Sequence, residues 1–148
     1  MDTIRKVIPT GARLFLGLVF TVFGLNVFLQ FLPTPPPPPR GAAFAGALFA
    51  SGYLFPLLAT TEVVAGLLLL RNRFVPLALA VLAPVVINIV AFHLFLAPSG
   101  LGLALAVLAA ELTLVWNRRV AFAPMLRARA ELPREVVFAA VEPARKAA

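Results

Sequence analysis

Two glutamates and an arginine stand inside long apolar runs of this chain: Glu62 in LATTEVVAGLLLL, Glu111 in VLAAELTLVW and Arg13 in GARLFLGLVF. A carboxyl group in such surroundings can relay a proton or hydrogen-bond a polar headgroup, and a guanidinium can offset its charge. A second set of polar side chains is spread through the same runs: Asn26 and Gln30, one helical turn apart, then Tyr53, Asn88 and His93. His93 is the only histidine, and with no cysteine beside it a zinc or haem site is not expected. A lone histidine near a helix end ordinarily bonds a loop. The absence of cysteine also excludes disulfides and thiol redox chemistry of the chain's own. No nucleophile and base stand at recognisable spacing and no glycine-rich phosphate loop occurs, so the residues do not read as those of an enzyme acting on its own.

What these groups can do depends on the solvent around them. Of 148 residues, 61% are hydrophobic and 13% charged, with a mean hydropathy of +0.98. So few charges cannot cover a water-soluble domain, which makes this a membrane protein. A hydrocarbon core about 30 Å thick needs roughly 20 apolar residues per helix. Runs of that kind predict an all-α, four-helix transmembrane bundle within residues 1–125, with helices over about 12–32, 48–70, 74–97 and 101–117. The apolar stretch before the second helix begins at Gly41 and is too long for one straight crossing. A break at Ser51 and Gly52, with Pro56 soon after, leaves GAAFAGALFA as a short helix at the interface.

The first apolar run is too long for a signal peptide and no small-residue cleavage site follows it, so it reads as an uncleaved membrane helix. Arg5, Lys6 and Arg13 precede or open that helix, Arg71 and Arg73 join the second and third helices, and a further basic group follows the fourth from Arg118 onward. Only Arg40 falls on the other side, so both termini are expected in the cytoplasm. The net charge of +7 arises from this asymmetry and comes with no nucleic-acid module; anionic lipid headgroups are the expected partner of the basic face. PTPPPPPR reads as a stiff polyproline II loop outside the membrane. The tail, 126–148, carries Val136, Val137, Phe138 and Val141 at near-helical spacing between Pro133 and Pro143. It reads as an amphipathic interfacial helix, with a docking face for a cytoplasmic partner as the alternative.

At about 1.5 Å per residue, Glu62 lies roughly 12 Å from the inner surface and Asn88 roughly 16 Å. A carboxylate exposed to lipid at that depth costs about 2.5–3.5 kcal/mol on insertion scales, so Glu62 is expected to face the interior, where a protonated form is favoured. Arg13, Glu62 and Glu111 then suggest an inner polar layer, and Glu62 and Asn88 a shared cavity that takes one polar headgroup. Arg13 snorkelling to headgroups and the glutamates making plain interhelical hydrogen bonds are the simpler alternatives. Nearer the outer side, Asn26, Gln30, Tyr53 and His93 form a second candidate group. Gly17, Thr21 and Gly24 share a face of the first helix suited to close packing.

The segments ARLFLGLVFTVFGLNVF, GYLFPLLATTEVVAGLLLLRNRFVPLALAVLAPVVINIVAFHLFLAP and ELTLVWNRR, with a proline-bearing outer loop after the first, together resemble the DoxX family of small four-helix membrane proteins over about residues 10–125. Many relatives carry a lysine soon after the glycine of the first helix; here Asn26 and Val27 stand in that neighbourhood. The resemblance implies a protein of a bacterial or archaeal cytoplasmic membrane, associated with quinol oxidase or thiosulfate:quinone oxidoreductase chemistry and able to assemble with soluble redox proteins. The expectation is a non-catalytic component of a redox or envelope-maintenance system. It would hold a quinone or lipid against Glu62, Asn88, Glu111 and Arg13, alone or as a homo-oligomer. The alternatives are a small proton-coupled carrier and a purely structural scaffold.

Overall fold

The computed structural model describes residues 2–33 and 35–126, with side chains from Val7 onward. The helices are α1 (Asp2–Leu29), α2 (Pro39–Ala50), α3 (Leu54–Leu70), α4 (Val75–Phe95), α5 (Leu101–Asn117) and the single-turn α6 (Arg119–Phe122), with 3₁₀ turns at Pro98–Gly100 and Ala123–Leu126. There is no strand among the described residues. The tail expected as an interfacial helix lies outside them. Among the described residues, three helical spans are long and apolar enough to cross a membrane: Val7–Leu29, Val75–Phe95 and Pro98–Asn117. A fourth follows if α2 and α3, bent by 93° at their junction, count as one span.

The bend falls at the expected Ser51 and Gly52, and its chemistry is local. Gly52 takes φ +76°, a left-handed conformation in which a Cβ is unfavourable. The Ser51 hydroxyl donates to the Leu48 carbonyl at 2.6 Å and accepts the Leu54 amide at 3.1 Å, so one side chain closes α2 and opens α3. The first helix departs from expectation at both ends. It begins well before residue 12 and continues through Pro9, because charged residues mark where hydrocarbon ends rather than where a helix must. It stops at Leu29, short of 32. There Gln30 turns left-handed and the Asn26 amide bonds both the N–H (2.7 Å) and the carbonyl (3.2 Å) of Leu32.

α1 packs along α3, α3 against α4, α4 against α5 and α5 against α1, which closes a ring around one apolar core. Leu16 and Phe20 of α1, Leu69 of α3, Leu79 and Leu82 of α4 and Leu114 of α5 are at most 2% exposed. The outward faces are also apolar, with Leu57, Leu77, Ile87, Leu112 and Trp116 all more than half exposed, the surface of a protein in contact with lipid. Thr60, Thr61 and Thr113 donate to the carbonyls of Pro56, Leu57 and Ala109 one turn back, so no hydroxyl proton is left without an acceptor on those faces.

The α1–α3 seam is the closest contact. Gly17 and Gly24 lie against Gly66 and Ala59 in antiparallel register, and a Cβ on Gly66 would come within 2.8 Å of the Thr21 backbone nitrogen and 2.9 Å of the Gly17 carbonyl. The face expected to pack closely does so, because absent side chains let two backbones meet.

Candidate functional site

At the end of the molecule that carries Arg71, Arg73, Arg118 and Arg119, here the basic end, α3 closes with a complete set of carbonyl partners. Asn72 is left-handed (φ 53°), its N–H donates to Leu69 and the Arg73 N–H to Leu68, the paired bonds of a Schellman motif. The Arg71 N–H donates to Leu67. Arg13 reaches across from α1, and its Nη1 donates to the Leu69 and Leu70 carbonyls. Arg13 therefore satisfies the negative end of a helix dipole, and the inner layer of Arg13, Glu62 and Glu111 is not assembled. The carbonyls of α3 are nearer to an arginine at the membrane edge than a carboxylate two turns deeper.

Glu111 falls on the buried stripe of α5 with Ala104, Val107 and Leu114 and is 4% exposed. Its Oε1 has no hydrogen-bond partner, and the Thr21 Oγ1 is also buried and unpaired; these are the two such side-chain atoms among the described residues.

The opposite half of the molecule is open. A first cleft of about 410 Å³ lies between α2, α3 and α4, with Phe44, Leu48, Asn88, Phe92 and His93 in its wall. A second, of about 530 Å³, lies between α1 and α3 beneath Phe49 and holds Asn26, Gln30 and Glu62. A third, of about 200 Å³, reaches between α1, α3, α4 and α5 and is lined by Phe20, Glu62, His93 and Val107 among others. The clefts share walls: Phe55 and Leu58 separate the first from the second, Phe23 and Glu62 the second from the third, and Ile89 and His93 the first from the third.

Glu62 thus belongs with Asn26, Gln30 and His93, a grouping that crosses the two sets read from the sequence. Asn88 does not share a cavity with Glu62. It stands on the exposed flank of α4, beside the buried stripe of Leu82, Val85 and Val86, and opens into the first cleft alone. Equal depth brings two residues to one height, while the helix azimuth decides which cleft each enters. Tyr53 sits at the α2–α3 corner, 62% exposed, and lines none of the three clefts.

The His93 ring is fixed by its own loop, as expected of a lone histidine at a helix end. Its Nδ1 lies 2.9 Å from the Ala97 carbonyl, and a carbonyl only accepts, so Nδ1 carries the proton and Nε2 is the acceptor of the neutral ring. Gly100 lies directly against that ring and leaves no space for a Cβ.

Sequence reading missed the part played by α2. Phe44 packs on Phe92 with ring centroids 5.9 Å apart, Phe49 on Phe55 at 6.1 Å, and the helix roofs the first two clefts. The signal was present in GAAFAGALFA, whose phenylalanines stand out among small residues, but not which way the segment folds back.

The assembled site offers a carboxyl at Glu62, amides at Gln30 and Asn88 and an imidazole acceptor at His93, spaced along apolar walls. Such a set can bond carbonyl or hydroxyl oxygens of a molecule whose remainder is apolar. No cluster of three or more metal-ligating side chains occurs among the described residues. No family model, curated protein or solved structure matches the chain.

Proposed function

We propose that this chain is a DoxX-like integral membrane protein, a four-helix transmembrane bundle in a bacterial or archaeal cytoplasmic membrane with both termini inside. In this reading it is a non-catalytic component of a redox or envelope-maintenance system and holds a quinone or another isoprenoid-tailed lipid within the bundle. One observation carries the reading: three adjoining clefts with apolar walls meet around Glu62 and His93, the first two under a roof made by α2. The apolar walls suit a tail; the Gln30 amide can donate to a headgroup carbonyl, and Glu62 and the His93 Nε2 can accept from a headgroup hydroxyl such as that of a quinol. Asn26 adds little, since both ends of its amide are engaged by Leu32.

Lipid extraction from the gently purified protein followed by mass spectrometry tests this. A stoichiometric quinone or isoprenoid is expected; bulk phospholipid alone would leave a structural scaffold as the better reading. Orientation is tested separately, because the chain contains no native cysteine. A cysteine placed at Pro36 should react with an impermeant thiol reagent in intact cells, and one at Asn72 only after lysis.

A proton-coupled carrier is the second reading, favoured by the buried and unpartnered Glu111 Oε1. It requires proton flux in proteoliposomes that Glu111→Gln abolishes. Assembly with a soluble redox protein or with a second copy is compatible with the first reading.

A further inference from the structure

The basic end holds a cavity of about 390 Å³ that the quinone or lipid reading does not use. It is bounded by Thr10 and Arg13 of α1, by Asn72 in the α3–α4 turn, and by Leu114, Asn117 and Arg118 at the close of α5. Two guanidiniums converge there from different elements, and no carboxylate among the described residues lines it.

Helix capping accounts for only part of this cationic charge. The carbonyls of α3 from Leu67 to Leu70 are all engaged, by the Arg71, Arg73 and Asn72 amides and by Arg13 Nη1 alone. At the end of α5 the Arg118 backbone N–H takes the Leu114 and Val115 carbonyls, and Arg119 Nη1 takes the Trp116 carbonyl at 3.1 Å. The Arg118 side chain caps nothing. Its Nη2 donates to the Asn72 Oδ1 at 3.1 Å, a bond that holds the guanidinium at the cavity. Arg13 is held likewise through Nη1. Each guanidinium is therefore anchored by one nitrogen, with its remaining N–H donors uncommitted among the described residues. Two anchored guanidiniums with spare forked donors, a neighbouring Asn117 amide and no competing carboxylate among the described residues match the geometry and charge of a phosphate.

We infer that the cavity between Arg13, Asn72 and Arg118 binds a phosphate group. It lies at the height where α3 and α5 end, the level of lipid headgroups for helices that cross the membrane, with buried Leu114 in its wall. Its volume leaves room beyond the phosphate for the rest of a small headgroup. The same chemistry would be met by the phosphodiester of an anionic phospholipid or by a free phosphate ion.

Unfolding of the full chain in detergent separates the two sources. One arm adds phosphatidylglycerol and, as a control, diacylglycerol with the same tails and no phosphate. The other adds inorganic phosphate against chloride at equal ionic strength. Phosphatidylglycerol should stabilise and diacylglycerol should not; if inorganic phosphate stabilises as well, the site accepts the soluble anion, and if it does not, the site is a lipid headgroup site. In either case Arg118→Gln, whose amide can still donate to Asn72, should weaken binding about tenfold, the loss expected for one charge-assisted contact. Arg119→Gln should leave it unchanged, because Arg119 lies over Trp116 and does not line the cavity. Arg13→Lys, which keeps the charge but not the fork, should also weaken binding; if it unfolds the protein, Arg118→Gln decides. No stabilisation by either phosphate compound, or equal losses for Arg118→Gln and Arg119→Gln, would overturn the site in favour of a diffuse basic surface.

Discussion

α3 is packed in two different ways along its length. From Gly66 to Leu70 it lies so close to α1 that backbone meets backbone, its carbonyls are all claimed, and Leu69 is fully buried. From Phe55 to Glu62 the same helix stands between clefts, with Leu57 and Leu58 exposed and Glu62 opening into two cavities. Small residues keep α1 and α3 in contact along the whole seam, Gly17 with Gly66 and Gly24 with Ala59, whereas the large aromatics Phe23, Phe49 and Phe55 stand in the walls of the clefts that flank its upper half. A closely packed base with clefts in the upper half is the arrangement that the proposed binding of a quinone or lipid calls for.

The sharpest way to break this contrast is to fill the seam. Gly66→Ala places a Cβ against the Thr21 and Gly17 backbones, which cannot move without shifting α1. It should cost about 3 kcal/mol, the upper part of the range for overpacking, measured by unfolding in detergent. Gly17→Ala should cost less, because its nearest obstacles, at 2.8 Å, are Leu70 side-chain carbons and the nearest backbone atom, the Gly66 carbonyl oxygen, stands at 3.1 Å. Equal, small losses for both would mean that the seam is no tighter than the open half.

That seam was legible in the sequence, and so were the bend at Ser51 and Gly52 and the span 101–117, because each rests on a local rule: small residues on one face, a left-handed turn, a run of apolar length. Other features were not. Residues before 12 joined the first helix because backbone hydrogen bonding continues past the hydrocarbon edge. Arg13 turned to carbonyls rather than to Glu62, a choice that depends on where another helix ends. Asn88 and Glu62 parted into separate clefts because α3 and α4 are apolar almost all round, and such a helix shows from its sequence how deep a residue lies but not which neighbour it faces.

Glu62 sits at the border of the two regimes, next to Gly24 and in the walls of two clefts. Glu62→Lys puts an ammonium there with no carboxylate in either cleft to pair it, and should cost about 2–3 kcal/mol. Glu62→Gln keeps shape and hydrogen bonding and should stay within about 1 kcal/mol of the parent chain. If both variants lose stability alike, the ionised carboxylate is a structural element of the tight half rather than a group lining an open one.

Within the open half, one point is as crowded as the seam. Gly100 is pressed against the His93 ring, and Gly100→Ala must displace the ring or the loop. A loss of about 1–2 kcal/mol is expected, from overpacking together with the broken His93 to Ala97 bond. His93→Ala combined with Gly100→Ala should recover the overpacking part, since the obstacle is then gone. A double variant that is no more stable than additive single losses predict would place the strain elsewhere.

The smallest expected effect on stability belongs to Asn88→Leu. Asn88 is exposed on α4, makes no hydrogen bond with a described residue, and replaces no core contact. In a bilayer an unpaired amide is unfavourable and leucine is among the residues that insert most readily, so the fold should be unchanged or gain a few tenths of a kcal/mol. Ligand retention should move the other way. The first cleft has two polar side chains in its wall, Asn88 and His93, and the substitution removes the one that is not committed to a loop through its other polar atom. Extraction and mass spectrometry of the variant should therefore find less quinone or isoprenoid per chain than in the parent protein, at equal or higher unfolding resistance. A variant that retains as much would confine the headgroup to the second and third clefts, around Glu62. A variant that loses both ligand and stability would show that Asn88 supports the helix ring, and that the open half is less independent of the tight one than their packing implies.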